Sequence, residues 1–427
     1  MDINTIQGIL LLITYLFLIY YAVRGGNLMI GFLVMAVLWS IIGLIPYKDA
    51  VNTVIETGAE SYAVTAVVVI FGSWFGRILV DTGIAGSIIK KMVELGGDRP
   101  SITTILLSIV TAIIFTSTFG VGAVIAIGVI VLPILLSLGI PKRLAVSSYT
   151  MAVGAGMYVN VVLFKQMQLF FPTVKYDNNY LRFGFIAMLI QVVVVILMIL
   201  YNMRKTKVNH AWAASTQSQN SSTQDVPLIA FIVPIVPVVM AVAFQWQPIP
   251  AILFAIFLAL LFTKRFSNLK DAVALIQKTL YDGVADVALL LGMLFTLAMF
   301  GKAAAINAKI FQTMFGSLIP HSPIIIAIGL AILAPLALFR GPLMVWGAGS
   351  ATIAILTGMK VFSPALLLPL LYIPTISMAI STCPTQSWNL WAVNYTKINI
   401  KDFLRTGVIW AWIIVLINEL VAINIFK

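Results

Sequence analysis

The chain has 427 residues, of which 61% are hydrophobic and only 9% are charged, and its mean hydropathy is +1.07. A soluble domain is roughly half apolar and a quarter charged, so this composition excludes a soluble enzyme and indicates an integral membrane protein. The net charge of +12 does not indicate nucleic acid as a partner, because the basic residues stand in short loops between apolar segments, where positive-inside bias accounts for them. The single cysteine, Cys383, excludes an intramolecular disulfide.

Apolar segments of about 20 residues are long enough to cross a bilayer. In chain order the first half is predicted to hold three spans, an amphipathic stretch, a re-entrant hairpin of two short arms, and two further spans: Ile6–Ala22, Leu28–Ile45, Tyr62–Val80, Ile84–Leu95, Ile102–Phe115 with Val121–Leu138, Leu144–Leu169 and Phe183–Met203. A polar, Ser- and Gln-rich stretch follows and predicts a flexible cytoplasmic linker over residues 204–226.

The second half repeats this order of elements. Its predicted segments are Leu228–Phe244, Ile249–Phe262, Val273–Phe300, the amphipathic Ala303–Phe315, the hairpin arms Ile324–Leu338 and Met344–Thr357, then Ala365–Val393 and Phe403–Phe426. With five full spans in each half, the second half must insert upside down relative to the first. An outside N-terminus places most loop lysines and arginines in the cytoplasm, Arg24 and Lys401 among them.

Short sequence matches support an internal repeat. Lys48-Asp49-Ala50-Val51 matches Lys270-Asp271-Ala272-Val273, and Leu181-Arg182-Phe183-Gly184 matches Leu404-Arg405-Thr406-Gly407. The sequence therefore predicts an all-α polytopic membrane protein of two inverted repeats, residues 1–203 and 227–427. Within them, 1–99 and 227–320 are predicted scaffold parts, and 100–203 and 321–427 are predicted transport parts.

Backbone that is not helical at membrane depth is tolerated only where it is buried in protein or lines a cavity, so helix breaks point to binding sites. Four breaks are predicted. Two lie at the hairpin tips, and one lies inside the fourth full span of each half. The predicted substrate-binding residues at these breaks are hydroxyl and amide residues, glycines and one arginine: Thr116, Ser117, Thr118, Gly120, Gly122, Gly154, Gly156, Asn160, Arg340, Gly341, Ser381, Thr382, Thr385, Gln386 and Ser387. Small and hydroxyl residues are also common at ordinary helix contacts in membranes, which is the competing interpretation.

Charged residues within spans are costly and are therefore candidates for function. Arg340 is the predicted anchor for a substrate carboxylate, because its planar fork can bind both oxygens, with a loop charge as the alternative. Lys165 is predicted to reach the surface instead. The ion-coupling candidates are Glu60, Asp282 and Asp286, which could equally be ordinary first-turn acids, and Glu419 is interpreted as lying at a span end or interface.

No phosphate-binding GxxxxGK[ST], HExxH or GxSxG motif occurs, so the sequence predicts no enzyme and no ATP-driven pump. Transport would then be secondary, driven by an ion gradient.

The order of segments, the tip Thr116-Ser117-Thr118 and the break Ser381-Thr382-Cys383-Pro384-Thr385 resemble the ion transporter superfamily of secondary carriers, in particular its gluconate permease, citrate and dicarboxylate branches. The resemblance implies an elevator-type homodimer in the cell membrane that imports a small organic anion with protons or sodium. It needs no cofactor beyond a sodium ion, for which the candidate ligands are Thr116, Ser117, Ser381 and Thr382. The asparagines of the dicarboxylate branch's Ser-Asn-Thr motifs are absent at both places. The alternative function is a sodium/proton antiporter of the same superfamily.

Overall fold

The computed structural model describes residues 3–97, 99–206, 226–315 and 322–426, and within these ranges it is helical and contains no strand. The α-helices are α1 Ile3–Val23, α2 Leu28–Ile42, α3 Tyr47–Asp49, α4 Thr57–Glu60, α5 Ala63–Asp81, α6 Ile84–Gly96, α7 Pro100–Ile114, α8 Val121–Ser137, α9 Lys142–Met157, α10 Val161–Met167, α11 Asn178–Thr206, α12 Val236–Ala243, α13 Pro248–Phe262, α14 Leu269–Phe315, α15 Pro323–Leu333, α16 Gly349–Gly358, α17 Pro364–Pro374, α18 Ser387–Thr396 and α19 Ile400–Phe426. All but the ends of the predicted linker lies outside the described residues.

By length and composition, six of the described helices can cross a membrane, or seven when the bent pair α9 and α10 counts as one span. Their outward-facing side chains are large and apolar, as lipid contact requires; Leu189 and Leu197, for example, are 62% and 51% exposed. The prediction of an all-α polytopic membrane protein is confirmed.

The structure differs from the predicted segments in several places. The predicted span Leu228–Phe244 is a 3-10 helix over Leu228–Ile235 followed by the short α12, and the predicted hairpin arm Ile324–Leu338 belongs to a helix over Pro323–Arg340 that is long enough to cross a membrane. Residues 47–60 were predicted to be a loop, but α3, a π-helical turn over Ala50–Glu56 and α4 extend the third span back to Tyr47. In the second half, the predicted span Val273–Phe300 and amphipathic Ala303–Phe315 form the single 47-residue α14. Gly301 between them interrupts nothing, because an isolated glycine lowers helix stability without ending a helix.

Helix breaks lie where the hairpin tips and the interrupted spans were predicted, while the re-entrant path of the hairpins stays a prediction. At the first tip Gly120 has φ +109°, a value that glycine adopts without strain, and α8 starts at the next residue. At the second tip Phe339 and Arg340 have φ values of +54° and +61°, which are unfavourable for residues with a Cβ. The first interrupted span bends by 69° between Met157 and Val161. Gly154 and Gly156, predicted to lie in that break, are instead in the last turns of α9.

Corresponding spans of the two halves lie against each other in antiparallel pairs. Along α5 and α14, Trp74 Nε1 donates to Thr279 Oγ1 at 3.0 Å, and the Lys278 ammonium lies 2.8 Å from the Asp81 carboxylate. Along α11 and α19, Tyr201 contacts Trp410 edge to face, and Asn418 reaches the Ala187 carbonyl, 14 residues back in α11. Opposed directions are what an inverted repeat requires of equivalent spans.

The interrupted spans also cross in a reciprocal manner. Tyr158 OH and Ser377 Oγ are 2.7 Å apart, and Gly154 packs directly on Ser381 Oγ. At the 223-residue offset of the second motif pair (181 and 404), Gly154 corresponds to Ser377 and Tyr158 to Ser381. The two contacts are therefore each other's equivalents, which is the pattern of a two-fold axis. The division into two repeats with scaffold and transport parts stays a prediction, and these contacts agree with it.

Candidate functional site

A cavity of about 750 Å³ lies between the hairpin tips, the second interrupted span and α14. Both tips contribute to it, Phe119 and Val121 from the first and Phe339, Arg340 and Trp346 from the second. Thr385, Gln386 and Ser387 follow the second break and lead into α18. Most of the remaining lining is apolar: Ala22, Leu28, Met29, Leu163, Leu289, Leu290, Met293, Met344, Ile380, Pro384, Trp388, Leu390 and Ile400.

Arg340 brings a positive charge into this cavity without a matching acid. Its guanidinium donates to the Thr385 carbonyl at 3.3 Å and lies 3.7 Å from Met293 Sδ, and no carboxylate of the described residues is within ion-pair distance. The tip itself is anchored, because Phe339 N–H donates to Cys383 Sγ at 3.0 Å and Ala348 N–H donates to the Arg340 carbonyl at 2.9 Å. A guanidinium fixed beside apolar walls and left uncompensated is a site for an anion.

Two further hydrogen-bond donors in the cavity wall are unused. Gln166 Nε2 and Trp346 Nε1 are buried and have no acceptor among the described residues. A buried N–H without a partner is costly, and in binding sites such donors are commonly satisfied by the ligand. Three residues that line the cavity, Arg340, Gln166 and Trp346, therefore carry unused N–H groups. Those of Gln166 and Trp346 are covered in this arrangement and would meet a ligand rich in oxygen acceptors after a change of side-chain orientation.

The cavity's acid is already neutralised. Asp286 accepts two hydrogen bonds from Arg77, from Nε to Oδ2 and from Nη2 to Oδ1, both at 2.6 Å. The carboxylate also lies against the N-terminus of α8, where a Cβ on Gly122 would overlap its oxygens. A bidentate guanidinium and the positive end of a helix dipole both stabilise the charged carboxylate, so this group carries no free charge into the cavity.

The backbone carbonyls that lack helical partners at the first break accept hydrogen bonds from side chains. The hydroxyl of Tyr372 donates to Met157 O, that of Tyr180 to Tyr158 O and that of Tyr176 to Val159 O, at 3.0, 3.0 and 2.5 Å. Asn160 caps α10 by accepting from Leu163 N–H, and its amide donates to the carbonyls of Phe115 and Thr118 at 2.9 and 3.0 Å. The first tip and the first break are thus fixed to each other, and each of these five carbonyls already accepts one hydrogen bond from a side chain.

Backbone carbonyls at the second break also accept hydrogen bonds from side chains. Asn389 Nδ2 donates to the carbonyls of Ile380 and Cys383, both at 3.0 Å. Thr375 joins the second hairpin to this span, accepting from Val345 N–H at 3.1 Å and donating to the Leu343 carbonyl at 3.2 Å. The carbonyls named at both breaks accept hydrogen bonds within the protein, whereas Ser117 Oγ, Thr118 Oγ1 and Asn389 Oδ1 are buried oxygens without a partner among the described residues and lie outside the residues that line the cavity.

The predicted site residues divide into two groups by position. Arg340, Thr385, Gln386, Ser387 and the coupling candidate Asp286 line the cavity. The remaining predicted binding residues are buried around the tips and breaks outside its lining: Thr116, Ser117, Thr118, Gly120, Gly122, Gly154, Gly156, Asn160, Gly341, Ser381 and Thr382. Their role in binding stays a prediction, as does that of Glu60, which is exposed, and of Asp282, which is half-buried.

Of the four hydroxyls proposed for sodium, three donate to carbonyls of their own helical turns. Thr116 bonds Ile113 O, Ser381 bonds Ile376 O and Thr382 bonds Met378 O, at 2.7 to 2.8 Å. Ser117 Oγ is buried and has no partner among the described residues. A sodium ion held by these groups remains untested.

Sequence analysis missed four residues. Arg77, Gln166 and Trp346 lie within apolar segments. The placement of Arg77 and Gln166 depends on which helix face turns inward, and that of Trp346 depends on the turn that precedes α16. Glu419 was interpreted as lying at a span end or interface, but it is only 1% exposed, in the interior of α19. The run of apolar residues around it was the available signal, because a charged group inside such a run is costly unless it has a role.

Comparison with solved structures finds the crystal structure of the YdaH transporter from Alcanivorax borkumensis, which is described as having an unusual topology. The match has a TM-score of 0.65 and covers 94% of this chain and 98% of that chain, at 11% sequence identity. No family model matches the sequence, and no curated protein matches it. At this identity the match shows the fold alone. The chain is accordingly a multi-pass membrane protein with the fold of a membrane transporter. The match does not support the resemblance to the gluconate, citrate or dicarboxylate branches.

Proposed function

We propose that the protein is a secondary active carrier that binds a small organic anion at Arg340 and moves it across the cell membrane with a coupling cation. The observation that carries the proposal is the uncompensated guanidinium of Arg340 in the cavity. A substrate carboxylate would replace the missing counter-charge, and the N–H groups of Gln166 and Trp346 would complete its hydrogen bonding. The transporter fold supports the class.

The charge balance of the cavity also distinguishes among candidate anions. Arg340 is the one lining cation among the described residues, since Arg77 is neutralised by Asp286 and does not itself line the cavity. One spare positive charge balances one carboxylate. A singly charged acid such as gluconate therefore fits better than trivalent citrate, whose further charges would be buried without partners.

The sodium/proton antiporter is the second candidate, and the cavity favours the anion carrier over it. An antiporter requires an acid that is free to exchange sodium for protons, or oxygen ligands that are free to surround sodium. Asp286 is held by Arg77, and the carbonyls at both breaks accept hydrogen bonds from side chains. Within the cavity lining the available groups thus attract an anion; Glu419, a buried acid without a partner among the described residues, lies outside this lining.

The resemblance to elevator-type carriers extends the proposal to a homodimer in which the hairpins and interrupted spans move together. Asn160, Thr375 and Cys383 bind each hairpin tip to the neighbouring interrupted span, so that tip and break would move as one body. The antiparallel pair α5 and α14 would form part of the stationary scaffold.

The test is uptake of labelled gluconate, citrate, succinate and lactate into proteoliposomes under separate proton and sodium gradients. We expect Arg340→Ala to abolish saturable uptake of the transported acid, because breaking a buried charge pair costs about 2–5 kcal/mol, or roughly 30-fold to several thousand-fold in affinity. Arg182→Ala, which removes an exposed arginine of α11, is the matched control and should transport as the wild type does.

Sodium-driven proton movement without uptake of any acid would overturn the carrier in favour of the antiporter. Undiminished acid uptake by Arg340→Ala would remove Arg340 from the site while leaving the class of protein intact.

A further inference from the structure

We propose that Glu419 is a proton-binding site through which the carrier couples anion transport to the proton gradient. This inference rests on the proposed carrier function and selects the proton as the coupling ion. Glu419 lies in α19, seven residues before the end of the helix, and is 1% exposed. It was not among the coupling candidates that the sequence indicated.

The surroundings of Glu419 favour the neutral acid. Both carboxyl oxygens are buried, and neither has a hydrogen-bond or ion-pair partner among the described residues. An isolated carboxylate in such a place would be strongly destabilised, whereas a protonated carboxyl costs far less. The three candidates of the sequence differ from it: Glu60 is exposed, Asp282 is half-buried, and Asp286 is bound by Arg77.

No cation of the neighbouring elements offsets the charge. The elements packed on α19 are α9, α11, α15, α17 and the turns over Ala334–Arg340 and Thr375–Ile380. The titratable or charged groups that they carry, in their described side chains and at the end of α9, are Lys142, Arg143, Tyr149, Tyr158, Tyr180, Arg182, Tyr201, Arg204, Arg340 and Tyr372. Of these, the phenol of Tyr158 is near enough to interact electrostatically with Glu419.

Glu419 is also adjacent to the hydrogen bonds that join the two interrupted spans. The neighbouring Asn418 donates to Tyr158 OH at 3.0 Å, and Tyr158 OH and Ser377 Oγ are 2.7 Å apart. Ser377 Oγ donates to Gln191 Oε1 at 3.1 Å, and Gln191 Nε2 donates to Ser381 Oγ at 3.1 Å. A charge that appears at Glu419 therefore appears beside the contact between the breaks, where it would disfavour the present packing.

The coupling follows from this position. A proton taken up from the outer solution converts the Glu419 carboxylate into the neutral acid, and the body that carries the anion can then cross the membrane with its interior uncharged. Release of the same proton to the cytoplasm restores the carboxylate, so one proton enters with each cycle. A variant fixed in the neutral form should move substrate both ways but should not accumulate it.

The test uses the full-length protein and compares Glu419→Gln, which mimics the neutral acid, with Glu94→Gln as the matched control. Glu94 is exposed and pairs with Lys91 at 3.1 Å. Infrared difference spectra between acidic and alkaline pH report protonated carboxyl groups directly and require no substrate. We expect the wild type and Glu94→Gln to show a carboxyl band of a buried group that Glu419→Gln lacks. In proteoliposomes loaded with unlabelled gluconate, Glu419→Gln should exchange labelled gluconate as the wild type does. Under a pH gradient, the variant should only equalise the gluconate concentration on the two sides, whereas the wild type should concentrate it inside.

An unchanged infrared band, or gradient-driven accumulation by Glu419→Gln at the wild-type level, would overturn the proton site. If the wild type takes up no gluconate but the band is lost in Glu419→Gln, the proton site stands and the proposed substrate fails. Thermal unfolding of Glu419→Gln and Glu419→Asp identifies a folding defect, and Glu419→Asp should regain coupling if the carboxyl acts by binding a proton.

Discussion

Arg77 and Arg340 are two guanidinium groups within apolar segments whose surroundings assign them different roles. Arg77 binds both oxygens of Asp286, so its charge stabilises the contact between α5 and α14. Arg340 has a carbonyl and a thioether beside it and no carboxylate among the described residues. The first arrangement is complete within the protein, while the second would be completed by the anion that we propose as the ligand.

Substitutions of Gln166 and Trp346 test the proposed anion site by removing one N–H donor at a time. We expect Trp346→Phe and Gln166→Leu each to raise the KM for the transported acid about tenfold or more, because a hydrogen bond to a charged group contributes about 1.5–3 kcal/mol. Trp346→Phe retains the ring and removes the N–H. Trp388→Phe is the control, since Trp388 Nε1 already donates to the Ile380 carbonyl at 3.3 Å. Equal KM values in wild type and Trp346→Phe would exclude the indole N–H from the site.

Single residues were the part of the site that sequence predicted least well. Arg340 and Thr385 were found because they occur at breaks, and breaks are visible as short apolar arms and clusters of polar residues. Gln166 and Glu419 are polar residues within apolar runs. Whether such a side chain turns toward a cavity, another helix or lipid depends on tertiary packing, which a 3.6-residue period alone does not determine.

Between elements, the closest approach at the site is that of α8 to the Arg77–Asp286 pair. Because a methyl group on Gly122 would overlap the Asp286 carboxylate, Gly122→Ala must displace either the ion pair or the first hairpin tip. We expect this variant to lose transport and to unfold at a lower temperature, with a loss of about 1–3 kcal/mol as is usual for overpacking.

Gly329→Ala is the matched control for this substitution, because Gly329 lies within the first arm of the second hairpin and a Cβ there has open space. It should retain transport and stability. Thermal unfolding in detergent and uptake in proteoliposomes measure both effects, and a fully active Gly122→Ala would contradict the close contact.

Elements were predicted better than residues. The helix breaks at both predicted hairpin tips and in both predicted interrupted spans, and the last span of each half, follow from segment length and from the positions of glycine, proline and hydroxyl residues. The helical residues 47–60 were missed because Lys48, Asp49, Glu56 and Glu60 make this stretch too polar to register as part of a span. Packing on α14 keeps it helical, as the approach of Gly58 to Met299 illustrates.

For the whole molecule, the cavity's location indicates to which side of the membrane the proposed carrier is open. Its lining includes Gly25, Gly26 and Asn27, which follow α1, and Ile400, at the start of α19. Positive-inside bias assigns both ends to the cytoplasm, through Arg24 beside the first and Lys401 beside the second. With the predicted orientation and the proposed carrier function, the structure would correspond to a cytoplasm-facing form, which alternating access would exchange for an outward-facing one.

Cysteine accessibility tests this orientation. Leu289 lines the cavity and is 74% exposed, while Leu189 is 62% exposed on α11 and lies outside the lining. We expect Leu289→Cys to react with a membrane-impermeant maleimide in inside-out vesicles and much more slowly in right-side-out vesicles, because a water-filled cavity allows the thiolate to form. Leu189→Cys should react in neither, since lipid excludes water and reagent, and the buried Cys383 of the wild type gives the background. Added transported acid should slow labelling of Leu289→Cys by occupying the cavity; labelling confined to right-side-out vesicles would instead place the opening outside and reverse the predicted topology.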